Sequence, residues 1–141
     1  METDTMEYVQ SILSNDDQAE IFRLFREHSL EKIDTYSDNQ LISFKAVIHG
    51  KTVGYVVVNL FWGQLYVKYL IVYKEYRLRG IGSKLMQKAC EFARENGCTI
   101  VFLRTFNFQA PFFYQKLGFK VNYIQKGFKK DISIYHLSMA L

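Results

Sequence analysis

The stretch Leu70-Ile71-Val72-Tyr73-Lys74-Glu75-Tyr76-Arg77-Leu78-Arg79-Gly80-Ile81-Gly82-Ser83-Lys84 decides how this chain is read. A run of strand-forming residues ends at Tyr73, a short charged connection follows, and Arg77-x-x-Gly80-x-Gly82 opens onto a long helical pattern. The order is strand, glycine turn, helix. The first turn of a helix carries N–H groups with no internal partner, and the aligned peptide dipoles make that end attractive to anions. Glycine at 80 and 82 lets the main chain approach a bulky phosphate with no Cβ in the way. A phosphate-bearing ligand is the natural tenant. Two familiar nucleotide patterns do not fit, because there is no G-x-x-x-x-G-K-[ST] and Leu85 stands where a dinucleotide loop needs its third glycine.

Around this stretch, 141 residues with 49% hydrophobic and 16% aromatic content suffice for one packed domain, expected to span 1–141. Met1 to Glu7 is acidic and polar, unlike a secretory signal, and the longest apolar run, near Val53 to Trp62, is broken by Gly54 and Asn59. A soluble, cytoplasmic protein is expected. Cys90 and Cys98 lack the paired spacing of a zinc site and read as buried free thiols. A net charge of +4 favours an anionic ligand without amounting to a nucleic-acid footprint.

Glu7 to Leu13 alternates as a first strand would, and Ser14-Asn15-Asp16-Asp17 offers N-caps for a helix running to about His28, with Ile21, Leu24, Phe25 and His28 along one face. A second short helix is expected within Ser29 to Asn39. From Leu41 the period changes to that of strands. Leu41 to Ile48, Thr52 to Leu60 and Leu65 to Tyr73 form an antiparallel meander with turns at His49-Gly50-Lys51 and Trp62-Gly63-Gln64. The helix after Gly82 carries Leu85, Met86, Ala89, Phe92 and Ala93 on one side and ends at Asn96-Gly97. Thr99 to Leu103 is a buried strand parallel to the one before the helix. The glycine turn then lies at the carboxyl end of the first strand of a β-α-β unit, where open sheets bind ligands. Pro111 to Gly118 is a short helix, and Phe119 to Gln125 and Ile132 to Leu141 are closing strands. Between them, Lys126-Gly127-Phe128-Lys129-Lys130 is a solvated basic loop.

Arg77-x-x-Gly80-x-Gly82, together with Asn107 and Ala110-Pro111-Phe112-Phe113-Tyr114-Gln115-Lys116-Leu117-Gly118-Phe119, resembles the GCN5-related N-acetyltransferase (GNAT) superfamily. The first matches the [Q/R]-x-x-G-x-[G/A] pyrophosphate loop of that family and the second its A-x-x-F-Y-x-x-x-G-F helix. The T-F-x-F-Q-A-P-x-F-Y run is similar to a group of small single-domain acetyltransferases. The likeness is good from Leu41 onward and loose before it. It implies an α+β fold, a three-layer α/β arrangement of GNAT type, whose mixed, mostly antiparallel sheet surrounds a central β-α-β acyl-CoA-binding unit.

The resemblance also implies roles. Main-chain N–H groups of Leu78, Arg79, Gly80, Ile81, Gly82 and Ser83, with Arg77 at the loop's start, would hold the coenzyme A pyrophosphate. Leu70, Ile71 and Val72, at a bulged strand end, would pair with pantetheine and the thioester carbonyl, and Asn107, seven residues before Tyr114, would contact the cofactor. Tyr114 would donate a proton to the departing thiolate. Chemistry supports such a division of labour, since acetyl transfer needs a neutral amine, donors aimed at the developing oxyanion and a proton for sulfur. A phenol pKa of about 10 lies close enough to a thiol's roughly 8.5 for that transfer.

One position departs from the family. Arg104 stands on the strand where many relatives carry a carboxylate that serves as general base. The base stays open among Glu20, Glu27, Glu31, Asp34 and His136. Arg104 itself could meet an acidic acceptor, the cofactor or a neighbouring carboxylate. Tyr66, Tyr69, Tyr73 and Tyr76 are core and rim residues or the lining of an aromatic acceptor pocket. The resulting expectation is acetyl-CoA as donor, no metal, and a small-molecule primary amine as acceptor, attacked directly in a ternary complex. Neither membrane nor nucleic acid is expected as partner, and a homodimer is allowed. Acetylation of a protein or peptide, or acyl-CoA binding without chemistry, are the rival readings.

Overall fold

The computed structural model describes residues 4–37 and 40–141. They divide into two compact units, one ending at Tyr36 and the other running from Ser37 to Leu141.

In the first unit, helix α1 spans Asn15–Ile33. Ser14 caps it by accepting a hydrogen bond from the Asp17 N–H at 3.1 Å, and Asp16 and Asp17 place negative charge in the first turn, where the dipole favours it. Two expectations are corrected here. Glu7 to Leu13 forms no strand, because among the described residues its unit contains no second strand to supply the backbone partners that a lone strand lacks. Nor does the helix stop at His28 to leave a separate one behind it. Ser29-Leu30-Glu31-Lys32-Ile33 holds no glycine or proline, so α1 continues until Asp34 turns left-handed (φ 65°) and its N–H closes on the Leu30 carbonyl. The end of that expected second helix, at Asp38 and Asn39, lies outside the described residues.

The second unit is one six-stranded sheet with helices. Its elements are β1 (Leu41–Ile48), β2 (Lys51–Phe61), β3 (Gln64–Val72), α2 (Ile81–Glu95), β4 (Ile100–Phe106), α3 (Pro111–Lys116), β5 (Lys120–Gln125) and β6 (Ile134–Ala140). The order across the sheet is β1-β2-β3-β4-β6-β5, with β3 and β4 parallel and the other neighbours antiparallel. The meander, the β-α-β crossover and the closing pair thus follow the expected plan.

The core forms where α2 and α3 meet the sheet. Val56 and Val58 of β2, Leu65 and Val67 of β3, Val101 and Leu103 of β4 and Leu137 of β6 are buried against Leu85, Met86, Ala89 and Ala93 of α2. Phe92 sits at the edge of this layer, its ring 5.6 Å from Phe44 in an edge-on pair. Cys90 and Cys98 are buried free thiols, and burial pushes both above the usual thiol range. Gly54 is what lets α2 come close, since a Cβ there would sit 3.1 Å from the Ile71 carbonyl oxygen and 3.2 Å from Leu85 Cδ1.

Candidate active site

The parallel pair is short, and that shortness makes the site. β3 and β4 are in register only over Leu65–Val67 and Val101–Leu103, so beyond Val67 one edge of β3 has no strand beside it. Lys68 marks the break. On the β2 side Val67 faces Val58 and Tyr69 faces Val57, which leaves Lys68 as an extra residue, a β-bulge. A bulge inverts parity. Leu65 and Val67 face the core before it, Leu70 and Val72 pack against the core after it, and Tyr69 and Ile71 turn outward.

A cleft of about 790 Å³ occupies the gap between the two diverging strands. Leu70, Ile71 and Val72 line one wall, Leu103, Arg104 and Thr105 the other, with Arg77 and Tyr114 completing it. Main-chain groups on the edge of β3 that a second neighbouring strand would otherwise satisfy are therefore available to something placed in the gap.

The glycine turn continues from that wall. A short 3₁₀ turn at Lys74–Tyr76 leads to Arg77, whose Nε donates to the Val72 carbonyl at 3.1 Å and ties the turn to the strand end. Leu78 is left-handed (φ 62°), and Gly80 is too (φ 77°) as the N-cap of α2, its carbonyl accepting from the Lys84 N–H at 3.1 Å. No side chain caps this end and no acidic residue occupies its first turn. The amides of Ile81, Gly82 and Ser83 are thus unpartnered within the helix, beside three basic residues, Arg77, Arg79 and Lys84. Gly82 leaves this end open, since a Cβ there would reach to 3.4 Å from Phe113 Cζ.

Tyr114 is delivered to the cleft by α3. Pro111 at the helix start and the close pairing of the Phe119 N–H with the Tyr114 carbonyl (3.0 Å) fix the short helix. The Tyr114 ring packs edge-on to Phe113 at 5.2 Å and Phe119 at 5.8 Å, and only 7% of the residue is exposed. Burial raises its phenol to about 12.

Asn107 is not on the cleft. Its Oδ1 accepts from the Ser133 N–H at 3.0 Å and its Nδ2 donates to the Asp131 carbonyl at 3.2 Å, stitching the β4–α3 loop to the loop before β6. Gln109, which the sequence did not single out, does line it. Its Oε1 accepts from the Phe106 N–H (3.2 Å) and the Thr105 hydroxyl (3.3 Å), holding the same loop from within.

The tyrosines separate. Tyr66 and Tyr69 line a smaller hollow of about 300 Å³ with Lys68, Arg104 and Gln109, continuous with the cleft through Lys68, Tyr69 and Arg104. Tyr76 instead lies between two cations, Lys51 at 5.7 Å and Arg79 at 5.1 Å from its ring centre, at the glycine turn. The Tyr73 N–H bonds to the Val53 carbonyl at 2.8 Å.

No carboxylate lines the cleft or this hollow among the described residues. Glu20 and Glu27 are paired with Arg23 along α1, and the Arg23 guanidinium holds Glu20 below the ordinary carboxylate range. His136 faces Arg104 across the β4–β6 ladder, its Nε2 3.2 Å from Gln125 Oε1. Among the described residues no cluster of His, Cys, Asp and Glu could hold a metal ion, and no helix is long and apolar enough to cross a membrane.

The fold of this chain is shared with solved acetyltransferases. One from Bacillus cereus superposes with a TM-score of 0.81 over 96% of this chain and 98% of its own, at 22% identity, a likeness of fold. The family model described as Acetyltransferase (GNAT) family matches residues 6–119, and the chain belongs to that family. Blasticidin-S acetyltransferase of Streptomyces morookaense is 38% identical over 73 residues, which is 51% of this chain and 54% of that protein. The chain therefore spans about half the length of this curated relative. A Bacillus anthracis protein assigned as a streptothricin acetyltransferase, solved with acetyl coenzyme A, matches at 25% identity with a TM-score of 0.67, over 74% of this chain and 64% of its own.

Proposed function

We propose that this protein transfers the acetyl group of acetyl-CoA to the primary amine of a small molecule, by direct attack while both are bound. The observation that carries the reading is the cleft between β3 and β4, which joins a strand edge to a buried phenol and reaches Arg77, at the head of the turn that leads to the glycine-capped start of α2. The family membership and the acetyl coenzyme A held by the Bacillus anthracis neighbour support the donor. Relatives named for the acetylation of blasticidin S and streptothricin support an amine of small-molecule size.

The donor supplies an acetyl thioester. The free amides of Ile81, Gly82 and Ser83, with Leu78, Arg79 and Gly80 in the turn and Arg77 at its start, take the pyrophosphate, as P–O⁻ oxygens match a helix start free of acidic side chains. The main-chain groups along Leu70, Ile71 and Val72 that point away from β2, apart from the Val72 carbonyl that Arg77 occupies, accept the pantetheine arm as a strand would and aim donors at the thioester oxygen. The N–C bond forms as the C–S bond breaks, the amine surrenders one proton and the sulfur gains one. Tyr114 meets the sulfur. With its phenol near 12, about three and a half pH units above a free thiol, complete transfer before the amine proton leaves would cost about 5 kcal/mol. The hydroxyl therefore first stabilises the developing thiolate by hydrogen bonding, and the amine's proton completes the exchange. Asn107 acts at one remove, by holding the loop that presents Gln109 and α3.

Thiol release from acetyl-CoA across a panel of small amines and peptides tests this. Turnover of small amines with a rate that falls in Tyr114→Phe supports it. Tight acetyl-CoA binding without any acceptor-dependent release would instead favour a binding module, a reading that draws on the absence of a lining carboxylate.

A further inference from the structure

Arg104 is the residue on which the hollows of this unit converge. It lines the cleft, the 300 Å³ hollow beside Tyr66 and Tyr69, and a third hollow of about 380 Å³ with Phe61, Phe102 and His136. It has no carboxylate within ion-pair distance among the described residues, whose three such pairs are all on α1 and α2. Lys68, lifted from the ladder by the bulge, stands in the same hollow, its ammonium near the Tyr69 ring at 5.5 Å. Two cations thus share an aromatic-walled space that no acidic side chain lines among the described residues. A guanidinium offers a planar fork of donors that carboxylates fill with two parallel hydrogen bonds. Two positive charges close to an incoming ligand disfavour one that adds several more.

We infer that Arg104, with Lys68 beside it, is the specificity-determining anion site for the acceptor, and that the acceptor is a primary amine carrying its own carboxylate. The inference rests on the acetyl-transfer reading above and narrows it: amino-carboxylates are accepted, and polycationic amines are rejected. It differs from what the names of the antibiotic-modifying relatives would suggest by size alone. The anion anchors the acceptor at Arg104 while the amine reaches the thioester, which lies on the same cleft.

The test pairs each amino acid with its own primary amide, so that the amine is kept and the carboxylate removed, and adds spermidine as a polycation. Acetyl-CoA binding is measured separately by calorimetry. For the wild type, kcat/KM should favour the carboxylate members by about tenfold, the size expected for one partly solvated charge-assisted pair. In Arg104→Met that preference should collapse to within about threefold, through KM more than kcat, and Arg104→Lys should restore part of it. Equal or better use of amides and spermidine overturns the inference, as does an Arg104→Met variant that keeps the preference or loses acetyl-CoA affinity instead. Acetyl-CoA binding with no panel amine acetylated overturns this inference together with the acetyl-transfer reading, in favour of a binding module. Failure to bind acetyl-CoA at all overturns the acetyl-transfer reading first, and the calorimetry separates that case from the others. Arg104 is exposed on its strand, so its variants should fold, and a melting curve checks that.

Discussion

At Tyr114 a single cause has two effects. Burial between Phe113 and Phe119 fixes the ring's direction, and the same burial keeps the hydroxyl protonated far into the alkaline range. Tyr114→Phe keeps the packing and removes the donor, so kcat should fall by about 10²-fold while the acetyl-CoA dissociation constant changes less than about threefold. Steady-state rates and calorimetry read the two effects separately. The pH dependence follows from the same value. Since the free phenol ionises near 12 and no carboxylate lines the cleft among the described residues, kcat/KM should climb with pH as the acceptor amine loses its proton. No alkaline fall should occur below about pH 10, and a pH–rate profile across pH 6–10 shows whether it does. The stability sign is opposite to that of a paired carboxylate. A folded value above the unfolded one of about 10 gives stabilisation that is intact below that pH and drains away as pH rises toward 12. Urea midpoints should therefore fall more steeply over that window in the wild type than in Tyr114→Phe.

Among the elements, β3 and α2 carry the proposed acetyl-CoA contacts, and both can be perturbed without touching Tyr114. An aspartate in place of Gly82 puts a carboxylate at the free amides of the α2 start, and acetyl-CoA affinity should drop by at least about tenfold. Gly54→Val tests the packing beneath. Added atoms would meet the Ile71 carbonyl and Leu85 within 3.1–3.2 Å of the new Cβ, so chemical denaturation should show a loss of about 1–3 kcal/mol. Element by element, the sequence was most legible where period and punctuation agreed. Gly80, Gly82 and Asn96-Gly97 framed α2, and Pro111 opened α3. The bulge at Lys68 was written there too, as a shift of the core-facing set from Leu65 and Val67 to Leu70 and Val72. The resemblance implied a bulged strand end, but its position at Lys68 was hidden because every residue from Leu65 to Val72 except Lys68 suits a strand on either face. Glu7 to Leu13 misled for the converse reason, since alternation describes a strand's faces but says nothing about whether a partner exists for its backbone.

For the molecule as a whole, the candidate site depends on contacts distant in sequence, and those are what the sequence left out. Arg77 and Tyr114 could be named from their motifs, but that Lys68, Arg104 and Gln109 meet in continuous hollows depends on how far β3 and β4 stay in register. Asn107 shows the same limit, because its motif position is plain while its bonds to Asp131 and Ser133 come from a loop twenty-four and more residues away. The central claim is that the split sheet and the helix start together hold one acetyl-CoA. Isothermal titration of the full chain with acetyl-CoA tests it most directly. The account predicts saturable binding of one molecule per chain that Gly82→Asp weakens by at least about tenfold. A wild-type protein that takes up no acetyl-CoA, or a Gly82→Asp variant that binds it equally well, would contradict it.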